Sequence, residues 1–282
     1  MILFKTASGL GSHLGILKAK GIVTGFVPTM GALHTGHLTL VRESKQRAAI
    51  TVCSIFVNPA QFNDPADFEK YPVTIENDIR LLEEAGCDIL FLPSVKEMYP
   101  EGPDSGESFD PGFLNTVLEG SKRPGHFAGV GKVMRRLLTI VDPVLLFMGQ
   151  KDYQQCMVVR QLIERFGYPV KLVIVPTIRE ESGLAMSSRN TRLSREGLER
   201  ATVIYRALLR MKDLLATGPV SAITTEAGTM ILKNGFDKID YVAIANAETL
   251  EPITEWDGKT PAVALVAAFI EGVRLIDNML LA

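Results

Sequence analysis

The sequence predicts an α/β fold: a Rossmann-like, doubly wound parallel sheet over residues 1–176, followed by a smaller C-terminal α+β domain over residues 177–282. In the first part, short runs that are apolar throughout alternate with stretches of helical period. That alternation is the mark of parallel strands covered on both faces. After Pro176 the texture changes. Thr177–Arg195 is polar and rich in Ser and Arg, and the alternation of strand and helix gives way to two helices and two strands.

Gly21–Val27 reads as the first buried strand. Leu38, Leu40, Val41 and Ala48 then recur at helical spacing and predict a helix over Gly36–Ala49. Ile50–Val57 is a strand, Thr74–Ala85 a helix and Asp88–Leu92 a strand. Gly102–Gly106 reads as a mobile loop. A helix over Gly129–Ile140, a strand over Val144–Phe147, a helix over Asp152–Phe166 and a strand over Val170–Val175 complete the sheet. Beyond it, Gly197–Ala216 and Ser221–Lys233 are amphipathic helices. Asp240–Ala247 and Ala262–Ile270 are strands, with Asp257-Gly258 in the turn between them. Right-handed crossovers put the C-terminal ends of all the parallel strands on one edge, where such sheets bind ligands.

Composition narrows the function. The chain has 282 residues, 46% hydrophobic and 22% charged, with a net charge of −2, so no basic excess points to nucleic acid. Cys53, Cys87 and Cys156 fit neither a zinc pattern nor a disulfide framework, and Cys53 and Cys87 read as small core residues. The longest apolar stretch, Pro261–Ile270, suits a strand and not a membrane span. Met1–Lys5 lacks the order of charges and apolar residues of a secretion signal, so the expectation is a cytoplasmic enzyme.

The most informative stretch is Val27-Pro28-Thr29-Met30-Gly31-Ala32-Leu33-His34-Thr35-Gly36-His37. A strand ends there, a Gly-rich turn follows and a helix begins. A helix N-terminus offers open N–H groups and a positive dipole end to a phosphate. Gly31 and Gly36 permit positive φ and a close ligand. His34 and His37, three apart, share one face of the first turn. Two imidazoles at a phosphate seat suit a nucleotide whose α-phosphorus is under attack, where they would donate to oxygens that gain charge. The same histidines could simply cap the helix.

Other polar clusters stand at strand ends. In Asn58-Pro59-Ala60-Gln61-Phe62-Asn63, Asn58 and Gln61 offer neutral amides for a small polar substrate, or form an Asx-type turn. Arg123-Pro124-Gly125-His126 precedes a helix and would reach an anion or cap that helix. In Gly149-Gln150-Lys151-Asp152-Tyr153-Gln154-Gln155, Lys151 is a point charge for a polyphosphate. Asp152 would accept ribose hydroxyls or serve as N-cap, and Gln155 would face the cleft or complete a capping box. In Gly183-Leu184-Ala185-Met186-Ser187-Ser188-Arg189-Asn190, hydroxyls beside a guanidinium form a phosphate clamp on a closing loop, or a Ser-rich linker.

Taken together, these motifs resemble the nucleotidyltransferase superfamily that includes class I aminoacyl-tRNA synthetases. In their full order, with Arg274-Leu275-Ile276-Asp277-Asn278 at the end, they resemble more closely the pantoate–β-alanine ligase family. The likeness covers nearly the whole chain. Gly131-Lys132 and Glu180-Glu181 depart from the family's usual residues outside the motif positions. The resemblance implies a two-step ligation of pantoate and β-alanine, driven by ATP, through a pantoyl-adenylate. It implies that Met30, Gly31, Ala32, Leu33, His34, Thr35, Gly36 and His37 contact ATP, with His34, His37 and Lys151 as the catalytic residues. It further assigns Gly149, Gln150, Lys151 and Asp152 to ribose and phosphate, Ile178 to adenine, and Met186, Ser187, Ser188 and Arg189 to the polyphosphate. Gln61 and Gln155 would hold pantoate, Gln61 would also meet β-alanine, and Asn58 joins them as a substrate-binding residue. Mg²⁺ would ride on the ATP, with Asp78 the one weak candidate ligand, and the family implies a homodimer. Two rival readings are a nucleotidyltransferase moving AMP onto a phosphate ester, of the phosphopantetheine or nicotinate-mononucleotide type, and a non-catalytic nucleotide-binding module.

Overall fold

The computed structural model describes residues 1–62, 68–69, 71–102 and 109–282. Asn63 of the strand-end motif and residues 103–106 of the predicted loop lie outside the described residues. The chain divides into two compact units: Met1–Gly149 with Val158–Pro176, and Gln150–Met157 with Thr177–Ala282. The sequence reading put Gln150–Met157 with the sheet. These residues cluster with the second unit, where the Tyr153 hydroxyl donates to the Ala247 carbonyl at 2.6 Å.

In the first unit β1 (Ile2–Phe4), β2 (Thr24–Thr29), β3 (Ile50–Ile55), β4 (Ile89–Phe91), β5 (Leu145–Gly149) and β6 (Lys171–Val175) form one parallel sheet in the order β1-β4-β3-β2-β5-β6. Its longer helices are α1 (Ala7–Ala19), α2 (Thr35–Arg47), α3 (Ile75–Glu84) and α4 (His126–Val141). A further helix, α5 (Tyr153–Phe166), links β5 to β6. Val27, Val41, Cys53, Leu90 and Phe147 form part of its core. Chain order reverses between β2 and β5, the switch point at which such sheets open a crevice. Pro28 contributes to that opening. β2 pairs with β3 along its whole length, but with β5 only at Gly25 and Phe26. Pro28 therefore stands where no ladder bond to β5 is lost. The first strand begins at Thr24 and not at Gly21, because Gly21 (φ +72°) ends α1 by donating to the Lys18 carbonyl. β1 and α1 were not legible: β1 is three residues long, and α1 carries three glycines.

The second unit holds an antiparallel sheet, β7 (Lys238–Asn246), β8 (Ala262–Ile270) and β9 (Val273–Leu280), in sequence order. Its helices are α6 (Arg195–Ala201), α7 (Val203–Leu214) and α8 (Val220–Lys233). The single helix predicted over Gly197–Ala216 is two, divided at Thr202. Ile204, Leu208, Ile231, Ala264 and Val266 belong to its core. β8 is central and apolar throughout, as its sequence requires. β9 was not predicted, since Arg274, Asp277 and Asn278 interrupt its apolar alternation.

Candidate active site

β2 ends at Thr29, and the chain reverses through Gly31 (φ +83°) and Ala32 (φ +49°). Ala32 bears a steric cost in this left-handed region. Asp78 of α3 holds it there: its carboxylate accepts the Ala32 N–H at 3.0 Å and the Leu33 N–H at 2.8 Å, and the Thr74 hydroxyl donates to it at 3.1 Å. A side chain at position 31 would stand 3.0 Å from that carboxylate and 3.1 Å from Ile55, so glycine suits the crowding there as well as the positive φ. Asp78 is the weak Mg²⁺-ligand candidate of the sequence, and its visible work is on the turn. The residue is fully buried and both its oxygens are engaged with the turn.

α2 starts at Thr35 with His34 as its N-cap. His34 Nδ1 accepts the Gly36 N–H at 3.1 Å, and His37 Nδ1 accepts the His34 N–H at 3.4 Å. Two imidazoles thus form a reciprocal capping box, their ring centroids 4.1 Å apart. The two rings themselves engage main-chain N–H groups at the helix start. Gly36 sits inside the helix without positive φ. Because each Nδ1 accepts, each neutral ring carries its proton on Nε2. Capping and chemistry are not alternatives here. The cap uses Nδ1 and thereby fixes the tautomer and the aim of Nε2.

Beyond β3, Asn58 starts a 3₁₀ turn over Pro59–Gln61. Asn58 is 1% exposed. Its Oδ1 accepts the Ala60 N–H at 3.3 Å and the Tyr99 hydroxyl at 2.8 Å, while its Nδ2 donates to Gln61 Oε1 at 3.3 Å and to the Gly129 carbonyl at 3.2 Å. Every hydrogen-bonding position of that amide is used, one of them on Gln61. Burial pushes the Tyr99 pKa well up and keeps the phenol a donor. Gln61 is partly exposed, and its Nε2 donates to Met30 Sδ at 2.7 Å. The His126 ring donates from Nδ1 to the Gln61 carbonyl at 2.8 Å, and Arg123 lies 3.2 Å from His126 Nε2. Arg123–His126 therefore props the Gln61 turn, while Gly125 is the N-cap of α4. α4 meets the turn at Gly129, where a Cβ would fall 2.0 Å from the Ala60 carbonyl oxygen.

In the second unit, Gln150–Asp152 forms a 3₁₀ turn after Gly149, the last residue of β5. The Lys151 ammonium lies 3.7 Å from the carboxylate of Asp152, whose residue is exposed, and Gln155 is partly exposed on the first turn of α5. Ile178–Met186 is a hairpin. Met186 N–H donates to the Ile178 carbonyl at 2.9 Å, Glu180 N–H donates to Leu184 at 2.8 Å, and Arg179 bridges Ala185. Ile178 and Met186, predicted to meet the same ligand, are thus cross-strand neighbours. Ser187 caps the Ser188–Arg192 turn by accepting the Arg189 N–H at 3.2 Å. Arg179 braces the hairpin with a two-pronged pair to Asp277 at 2.6 and 3.0 Å, and stacks on Tyr205. Burial raises the Asp277 pKa, while Arg179 and the Asn278 N–H pull it down. Tyr99 and Arg179 had no signal in the sequence, and Asp78 stood out only as a weak metal candidate, since only the fold shows what they touch. Asp277 and Asn278 were visible only as part of a motif without a role.

Among the described residues no group of three or more His, Cys, Asp or Glu side chains could hold a metal, and no helix is long and apolar enough to cross a membrane.

Known proteins place this arrangement. The family model described as pantoate-beta-alanine ligase matches residues 3–280. A pantothenate synthetase of Cytophaga hutchinsonii is 46% identical over 283 residues, covering 100% of this chain and 99% of the relative. A pantothenate synthetase of Thermus thermophilus is 45% identical, with 98% of each chain covered. A crystal structure of pantothenate synthetase from Thermus thermophilus superposes with a TM-score of 0.90 at 42% identity, over 99% of each chain. A pantoate-beta-alanine ligase from Francisella tularensis, crystallised with beta-gamma ATP and beta-alanine, superposes with a TM-score of 0.83 at 37% identity, over 99% of this chain and 97% of that one. Matched from end to end by the family model and by these relatives, the chain belongs to the pantoate–β-alanine ligase family.

Proposed function

We propose that this chain joins pantoate to β-alanine in two steps at the residues described above. In the first, a pantoate carboxylate oxygen attacks the α-phosphorus of ATP; the new P–O bond forms as the bond to pyrophosphate breaks. In the second, the β-alanine amine attacks the acyl carbon of pantoyl-adenylate. The C–N bond forms, AMP leaves and the amine proton is lost. The substrates supply both nucleophiles, so the protein's work is positioning and charge stabilisation.

The observation that carries the reading is the histidine capping box. It presents two neutral imidazoles as Nε2–H donors at the dipole end of α2, suited to phosphate oxygens that gain charge. Lys151 adds a positive charge for the polyphosphate, with Gly149, Gln150 and Asp152 at the ribose. Ile178 lies against the adenine, and Met186, Ser187, Ser188 and Arg189 close over the polyphosphate. Gln61 and Gln155 hold pantoate with neutral amides, Gln61 also receives β-alanine, and Asn58 acts through Gln61. Mg²⁺ arrives as part of the ATP substrate, on phosphate oxygens. The proposed enzyme works in the cytoplasm as a homodimer, and light scattering at twice the chain mass of 30.9 kDa would establish the dimer.

The test is isotope exchange. The enzyme should exchange labelled pyrophosphate into ATP with pantoate present and β-alanine absent. Exchange that requires β-alanine would overturn the adenylate route.

A further inference from the structure

Asn278, near the end of β9, reaches the Gln150–Asp152 turn with its side chain. It is 2% exposed. Its Nδ2 donates to the carbonyls of Gln150 at 2.9 Å and Lys151 at 2.8 Å, and its Oδ1 accepts from Gln150 Nε2 at 3.2 Å. One amide therefore grips two consecutive carbonyls and one side chain of the turn that carries Lys151. Such a grip defines where the Lys151 side chain starts. Aspartate in its place would bring no donors, and glutamine would be one methylene too long for the same reach.

Asn278 is itself held. Asp277 Oδ1 accepts the Asn278 N–H at 2.8 Å, and Arg179 donates to the Asn278 carbonyl at 3.4 Å. Arg179 meanwhile anchors the Ile178–Met186 hairpin, donating to the Gly183 carbonyl at 3.1 Å while it pairs with Asp277. The line of contacts runs from the hairpin through Arg179 and Asp277 to Asn278, and from there to the backbone of Lys151. We infer that Asn278 is a positioning residue for ligation: it sets Lys151, and the Asp277–Arg179 pair ties that setting to the Ile178–Met186 hairpin. The inference rests on the reading in which Lys151 meets the ATP phosphates.

A double-mutant cycle tests it. KM for ATP and for pantoate are measured by pantoate-dependent pyrophosphate exchange on wild type, Asn278→Ala, Lys151→Ala and the double variant, with the melting temperature of each. Asn278→Ala should raise the ATP KM roughly tenfold, the scale for losing an oriented hydrogen-bonding group, and leave the pantoate KM in place. In the Lys151→Ala background the same change should add nothing to the ATP KM, because the group it positions is gone. Asn278→Ser keeps one donor; it should fall between wild type and Asn278→Ala, and it carries the test if Asn278→Ala does not fold. Additive effects in the cycle would overturn the positioning role, as would an unchanged ATP KM in Asn278→Ala where Lys151→Ala raises it. An unchanged ATP KM in Lys151→Ala would overturn the ATP assignment of Lys151 itself, and this inference with it.

Discussion

On the reading proposed above, His34 has two roles on two nitrogens, and substitutions can separate them. Nδ1 caps α2, and Nε2 would hold the proton offered to phosphate. Losing an N-cap costs about 1 kcal/mol, a few degrees of melting temperature in a chain of this size. Losing one preorganised donor in a shielded site slows the chemical step roughly 100-fold or more. His34→Ala should show both losses. Asparagine caps helices well but is too short to place a donor where Nε2 stands, so His34→Asn should recover the melting temperature and not the pyrophosphate exchange. Recovery of both would reduce His34 to a cap. The histidine spacing was legible in the sequence, but the doubling of roles was not. It depends on the ring rotations that turn each Nδ1 back onto the main chain.

α4 meets the Asn58–Gln61 turn at His126 and, most closely, at Gly129. Gly129 lets the helix backbone close on the turn, and Asn58 then donates to the Gly129 carbonyl. A methyl there would collide with the main chain at Ala60 and Gln61, with no flexible side chain to yield. Gly129→Ala should therefore destabilise the fold by about 1–3 kcal/mol, the range for overpacking, and move Gln61. Its kinetic signature should be a pantoate KM that rises more than the ATP KM. Equal rises would separate the helix contact from the pantoate side of the site. The sequence placed this helix and both motifs correctly as elements. It did not show that Arg123–His126 props Gln61 in place of capping α4, because a contact between residues 65 positions apart has no local pattern.

Across the whole molecule, the parallel sheet was legible because its strands are buried on both faces and therefore read as unbroken apolar runs. β1 and β9 were not, being too short or carrying the polar residues that brace loops. Candidate site residues stood out where polar residues follow a strand end; hidden were the braces, buried Asp78 on the Ala32 turn and partly buried Arg179 on Asp277. The same separation governs the thiols. Cys53, Cys87 and Cys156 are all buried, and none forms a disulfide. Burial raises the thiol pKa of Cys53 and pushes that of Cys87 up to about 11. At pH 8 only about one Cys87 in a thousand would be thiolate, and the residue is 4% exposed. A ligation whose nucleophiles are both substrates has no use for them. Titration with a disulfide reagent should label none of the three in the native protein and all three in denaturant, and the reagent-treated native enzyme should keep full exchange activity. Loss of activity in step with labelling of one thiol would place a protein nucleophile on the pathway and end the direct adenylate mechanism.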